Sequence, residues 1–150
     1  MEETVLVVED SDDDFELLAR VFKKSKLLNP RQRVESIRDA ICYLKGEGDF
    51  EDRTKYPFPV LMLLDIKLPD GTGFEALRWL RQHPELAPAA VVVLTGSDVY
   101  AIRRSYAEGA SSFLTKPLQF DDFANMAKAV RGINLRKTRE GYVLEGSPKS

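Results

Sequence analysis

Three short runs of β-branched and aliphatic residues constrain this 150-residue chain more than anything else in it: Val5-Leu6-Val7-Val8, Val60-Leu61-Met62-Leu63-Leu64 and Val91-Val92-Val93-Leu94. Each is too short for a helix and lacks the alternation of a half-solvated strand. They therefore read as strands covered on both faces. Such strands pair in parallel and need a crossover between neighbours, which places helices on both sides of one sheet.

The stretches between the runs supply those helices. Phe15, Leu18, Val21 and Phe22 recur at helical spacing behind Ser11, a residue suited to capping. Residues 33–37 alternate like a strand, and Ala40, Ile41 and Leu44 suggest a short second helix. Residues 46–59 read as a loop, and Leu68 to Gly73 as turn chemistry. Phe74, Leu77 and Leu80 mark a helix stopping near Pro84; Ile102, Tyr106 and Ala107 mark another that ends at Gly109. Ser112 to Thr115 is a short fifth strand before Lys116-Pro117, and Phe120, Phe123, Met126, Ala127 and Val130 form the last apolar stripe. Five strands alternating with five helices predict an α/β, doubly wound, five-stranded parallel sheet with right-handed crossovers. Residues 1–135 are expected to form this domain, and 136–150 a C-terminal extension or tail, available to lengthen the last helix or to pack on a partner.

Composition narrows the function. The chain is 43% hydrophobic and 31% charged, with a net charge of −2. One compact domain is expected, and no nucleic-acid binding, since neutralising phosphates needs a basic excess. The single cysteine, Cys42, excludes an internal disulfide and reads as a small buried hydrophobe; the single histidine, His83, reads as a surface residue. No apolar run reaches the roughly 18 residues of a membrane span. The expectation is a cytoplasmic protein without a membrane partner.

In doubly wound sheets the functional crevice lies beyond the carboxyl ends of the strands. Those ends carry Glu9 and Asp10, then Asp65, Thr95 and Lys116. Taken singly, each has a plainer use as a cap, a turn residue or a surface lysine. Their order on successive strand ends is what selects a shared site. Three carboxylates brought together require a cation, and a hard divalent ion, Mg²⁺ above all, suits oxygen donors. A carboxylate, a metal, a hydroxyl and an ammonium together suit phosphoryl transfer. Asp65 would attack in line, Lys116 would bind a phosphoryl oxygen, and Thr95 would donate a hydrogen bond.

The pieces V-L-V-V-E-D at 5–10, L-L-D-I-K-L-P-D-G-T-G at 63–73, V-V-V-L-T-G at 91–96 and G-A-S-S-F-L-T-K-P at 109–117 resemble the receiver domains of two-component response regulators, over roughly residues 3–134. The resemblance implies a flavodoxin-like (βα)5 fold with strand order 2-1-3-4-5. It implies that Asp65 is phosphorylated, that Asp10 and the Lys67 main-chain carbonyl join it around Mg²⁺, and that Glu9 acts through water. Thr95 and Phe113 would be the switch residues, Lys116 would bind the phosphoryl group, and the bond before Pro117 would be cis. Tyr56-Pro57-Phe58-Pro59 and His83-Pro84-Glu85-Leu86 are similar to the phytochrome-associated, single-domain subgroup. That likeness implies a bacteriophytochrome-type sensor histidine kinase as partner and a homodimer through helix 4, strand 5 and helix 5. Output would be a protein effector or, alternatively, a histidine phosphotransfer protein in a phosphorelay. Lys67, alone or paired with Ser97 or an acidic neighbour, is expected to set the phosphate lifetime. A competing enzyme reading is a haloacid-dehalogenase-like phosphohydrolase, with Asp10-Ser11-Asp12 as its D-x-D motif and Asp121-Asp122 as its later acidic pair. It leaves the residues around Asp65 unexplained.

Overall fold

The computed structural model describes residues 3–96 and 98–146. From the N-terminus run β1 (Thr4–Val8), α1 (Asp12–Lys24), β2 (Arg31–Val34), α2 (Ile37–Lys45) and β3 (Pro59–Asp65). The short antiparallel strands β4 (Lys67–Leu68) and β5 (Gly71–Thr72) follow, then α3 (Gly73–Gln82), β6 (Ala90–Thr95) and α4 (Val99–Ala107). The chain ends with β7 (Ser112–Thr115), α5 (Phe120–Ala129), β8 (Ile133–Lys137) and β9 (Tyr142–Gly146).

One sheet has the order β2-β1-β3-β6-β7 with every neighbouring pair parallel. Without the small β4–β5 ribbon in the count, this is the expected order 2-1-3-4-5. The alternation along each strand divides the core. Val5, Val7, Leu61, Leu63 and Val92 pack with Leu18 and Phe22 of α1 and with Phe123 and Met126 of α5. Leu6, Val8, Met62, Leu64 and Val93 face Tyr43, Leu44, Phe74, Leu77 and Leu80 of α2 and α3, and Ala101 of α4. The Phe22 and Phe123 rings meet at 5.0 Å across the α1–α5 seam. Burying two such rings contributes on the order of 3–6 kcal/mol.

Four local findings differ from the sequence reading. On α4 the buried residues are the small Ala101 and Ser105, whose Oγ donates to the Ala101 carbonyl at 2.7 Å. Tyr106 and Ala107 of the expected apolar stripe are instead exposed, because the face carrying Ala101 and Ser105 is the one turned to the core. Cys42 is only half-buried. His83 is half-buried too, since its ring stacks on Trp79 at 4.2 Å. After α5 the chain does not continue as a helix: β8 and β9 form an antiparallel hairpin whose Ile133, Val143 and Leu144 are buried. Residues 147–150 of the expected extension lie outside the described residues.

Asn29, 2% exposed, fastens this hairpin. Its Nδ2 donates to the Glu3 and Leu144 carbonyls at 2.7 and 3.0 Å, and its Oδ1 accepts from the Leu144 amide at 2.7 Å. Arg53 fastens the 46–59 segment in a comparable way, donating to the Tyr43 and Leu44 carbonyls at 2.7 Å and so closing the C-terminal end of α2. No helix among the described residues is long and apolar enough to cross a membrane.

Candidate functional site

Parallel pairing delivers all the strand ends to one edge of the sheet. Val8 is level with Leu64, Asp65 with Leu94, and Thr95 with Thr115. The residues that follow therefore converge: Glu9 and Asp10 after β1, Asp65 closing β3, Thr95 closing β6, and Lys116 after β7. They line a cleft of about 520 Å³, together with Lys67 and Gly96. Glu9, Asp10 and Asp65 each bring one carboxylate oxygen within 4.8 Å of the others. Glu9, Asp65 and Thr95 are buried, whereas Asp10 is open to solvent.

Lys116 sits among these acids, its Nζ 2.6 Å from Glu9, 2.9 Å from Asp14 and 3.2 Å from Asp65. Burial penalises its charge, but hydrogen bonds to Glu9 and Asp14 and the charges of Asp65 and Glu9 outweigh that penalty. The ammonium is held well above the ordinary lysine range. Glu9 is also raised, which for a carboxyl favours the neutral form. Burial and a hydrogen bond with Asp65 push it up to about 7, against the opposing pull of Lys116. Glu9 thus behaves as an acid crowded by its neighbours and only partly relieved by one lysine.

That crowding is the test of a metal at this position. One ammonium does not balance Glu9, Asp10, Asp65 and Asp14, and the donors are hard carboxylate oxygens on a solvent-accessible cleft. A divalent cation of the Mg²⁺ type fits them. Two backbone features shape the cleft floor. Gly73 donates its amide to the Ile66 carbonyl at 2.7 Å, and a Cβ on it would lie 2.5 Å from the Asp65 carbonyl oxygen. Only glycine lets α3 start so close to the acidic loop. The peptide bond between Lys116 and Pro117 is cis.

Phe113 is half-buried on β7 and meets the exposed Tyr106 ring edge-on at 5.9 Å. The Lys67 side chain is exposed, and its strand pairs with Thr72. Ser97, the other half of the expected pair, lies outside the described residues. Asp12 turns away to Arg33 at 2.8 Å, and Asp121 and Asp122 occupy the first turn of α5, where acids complement the helix dipole. Of the phosphohydrolase pattern only Asp10 joins the cluster; Asp12, Asp121 and Asp122 do not.

Asp14 at the site, and Arg33 and Asp70 behind it, were not singled out from sequence. Asp14 is the third residue after the capping Ser11, whose Oγ accepts from the Asp14 amide at 3.2 Å. In that position a side chain reaches back over the helix start, so the S-x-x-D spacing was the available signal. Asp70 and Arg33 brace the loops that carry the acids; neither has a sequence signal beyond turn chemistry and strand alternation.

With this geometry in view, residues 5–128 match the model of the response regulator receiver domain. The response regulator Rcp1 of Synechocystis sp. is 34% identical over 130 residues, 84% of each chain. Among solved structures, the bacteriophytochrome response regulator RtBRR superposes with a TM-score of 0.74 at 35% identity, covering 84% of this chain and 76% of that one. The Mn²⁺-bound form of Rcp1 gives a TM-score of 0.68 at 33% identity, over 83% and 88% of the two chains.

Proposed function

The chain belongs to the response regulator receiver domain family, and from that membership we propose that it is a phosphorylation-controlled signalling switch with Asp65 as acceptor. The observation that carries this reading is the convergence of Asp65, Lys116 and the Glu9–Asp10 pair in one cleft. An Asp65 carboxylate oxygen forms the new bond to phosphorus as the P–N bond of a phosphohistidine donor breaks, with the electron pair leaving on the imidazole. Lys116, already 3.2 Å from Asp65, neutralises a phosphoryl oxygen. Thr95, at the end of β6, supplies a hydroxyl donor to another. Mg²⁺, when bound by Asp10, Asp65 and the Lys67 carbonyl with Glu9 acting through water, offsets the charge gathered on those oxygens. The relative solved with Mn²⁺ supports a divalent ion here.

The likeness to RtBRR supports a sensor histidine kinase of the bacteriophytochrome type as donor. The likeness to the response regulator Rcp1 supports output by binding a protein, either an effector or a histidine phosphotransfer protein. Val99, Tyr100 and Tyr106 of α4 are 63%, 69% and 49% exposed, which suits pairing of two copies through α4, β7 and α5. Thr95 and Phe113 connect the site to that face, and with a phenyl ring the signal travels through packing alone. Lys67 beside the acceptor is assigned the pace of hydrolysis, so Lys67→Asn should change the autodephosphorylation rate.

Incubation with a small acyl phosphate donor tests the core of this reading. Label should enter the protein with Mg²⁺, be lost with EDTA, and be absent in Asp65→Asn. Undiminished labelling of Asp65→Asn would overturn it.

A further inference from the structure

We propose that Arg33 and Val34 of β2, together with the Ile37 and Arg38 amides of α2, form a clasp that holds both acidic loops in register and so sets the cation affinity of the site. The inference rests on the proposed metal role of Glu9, Asp10 and Asp65, and adds positioning residues that do not touch the cation.

Two independent grips define the clasp. The first acts on the loop after β1. The Glu9 amide donates to the Val34 carbonyl at 3.0 Å, and the Glu9 carbonyl accepts from Arg33 Nε at 2.9 Å. Both polar groups of the Glu9 backbone are thus held by two consecutive residues of β2. Arg33 extends the hold to Asp12 at 2.8 Å, and its guanidinium lies 4.8 Å from the centre of the Phe15 ring on α1. Glu9, Asp10 and Ser11 are pinned on either side by one arginine.

The second grip acts on the loop after β3. Asp70 lies in the β4–β5 turn, three residues beyond Lys67. Its Oδ1 accepts from the Ile37 amide at 2.9 Å and its Oδ2 from the Arg38 amide at 3.0 Å. These are the first two free N–H groups of α2, while the third, on Asp39, is capped by Ser36 Oγ at 3.0 Å. Ser36 would be the ordinary cap by itself. Asp70 comes from another loop, so its two bonds tie the Lys67 turn to α2 instead of merely closing a helix. These amides lower the Asp70 pKa although desolvation opposes them.

Because one short segment holds both loops, the spacing of the Glu9–Asp10 pair from Asp65 and the Lys67 carbonyl depends on it. Partners behind metal ligands commonly change affinity by about tenfold or more when removed.

Calorimetric Mg²⁺ titration and thermal unfolding of the full chain separate positioning from plain stability. Asp70→Ala and Arg33→Ala should each weaken Mg²⁺ binding by about tenfold, and Asp70→Asn, which keeps one acceptor, should weaken it less. Ser36→Ala, which uncaps the same helix without touching either loop, should lower the melting temperature yet hold Mg²⁺ affinity within about twofold. The proposal is overturned if Asp70→Ala and Arg33→Ala bind Mg²⁺ as the parent does, or if Ser36→Ala loses as much affinity as they do. A parent that binds no Mg²⁺ overturns the metal reading and the clasp together. Failure of Asp65 labelling with normal Mg²⁺ binding would remove the phosphorylation reading alone.

Discussion

Glu9 shows what a single residue at the site endures. Without a cation its carboxyl is raised from 4.5 to about 7, first by burial and then by Asp65. A raised carboxyl pKa means that the folded state binds the proton more tightly than the unfolded chain. The stability from this group is therefore complete below 4.5 and is lost as pH rises through about 7. In EDTA the melting temperature should fall as pH rises from about 5 to 8, and added Mg²⁺ should raise it more at the upper pH. A flat profile in EDTA would contradict this electrostatic account. At this scale the placement of Asp65, Thr95 and Lys116 at one edge of the sheet was legible in the sequence, because their order on the strand ends is fixed by topology. It was silent on Asp70 and Arg33, whose partners lie 33 and 24 residues away along the chain.

At the scale of elements, the C-terminal hairpin depends on one buried side chain. Asn29 satisfies an amide and two carbonyls, and Asn29→Ala leaves the Leu144 amide without its partner. The expected cost is about 1–3 kcal/mol, read as a lower denaturant midpoint together with faster amide exchange across β9. Unchanged exchange there would show that the hairpin is held by its apolar contacts alone. The five core strands and most helix faces were legible because their apolar spacing is set by burial against the sheet. The hairpin was not. Asn134 and Arg136 to Arg139 obscure the alternation of β8, and the strand buries its residues only once Asn29 and Leu27 accept β9 against them. The α4 face misled for the opposite reason: Val99, Tyr100 and Tyr106 point to solvent, while Ala101 and Ser105 face the core.

Across the whole molecule, the two ends of the sheet have different jobs. At one end the hairpin closes the core beside Glu3 and Asn29; at the other, the β2–α2 segment steadies the loops that gather the acids around Lys116. The exposed apolar side of α4 lies next to β7, where Tyr106 meets Phe113, and the end of β7 delivers Lys116 to Asp65. The proposed function stands on the identity of the acceptor. It is tested most directly by phosphorylating the protein in Mg²⁺, trapping the acyl phosphate by borohydride reduction, and locating the reduced residue by tandem mass spectrometry. Homoserine is expected at position 65 alone. Modification at Asp10, Asp12 or Asp14 with Asp65 unmodified would contradict it.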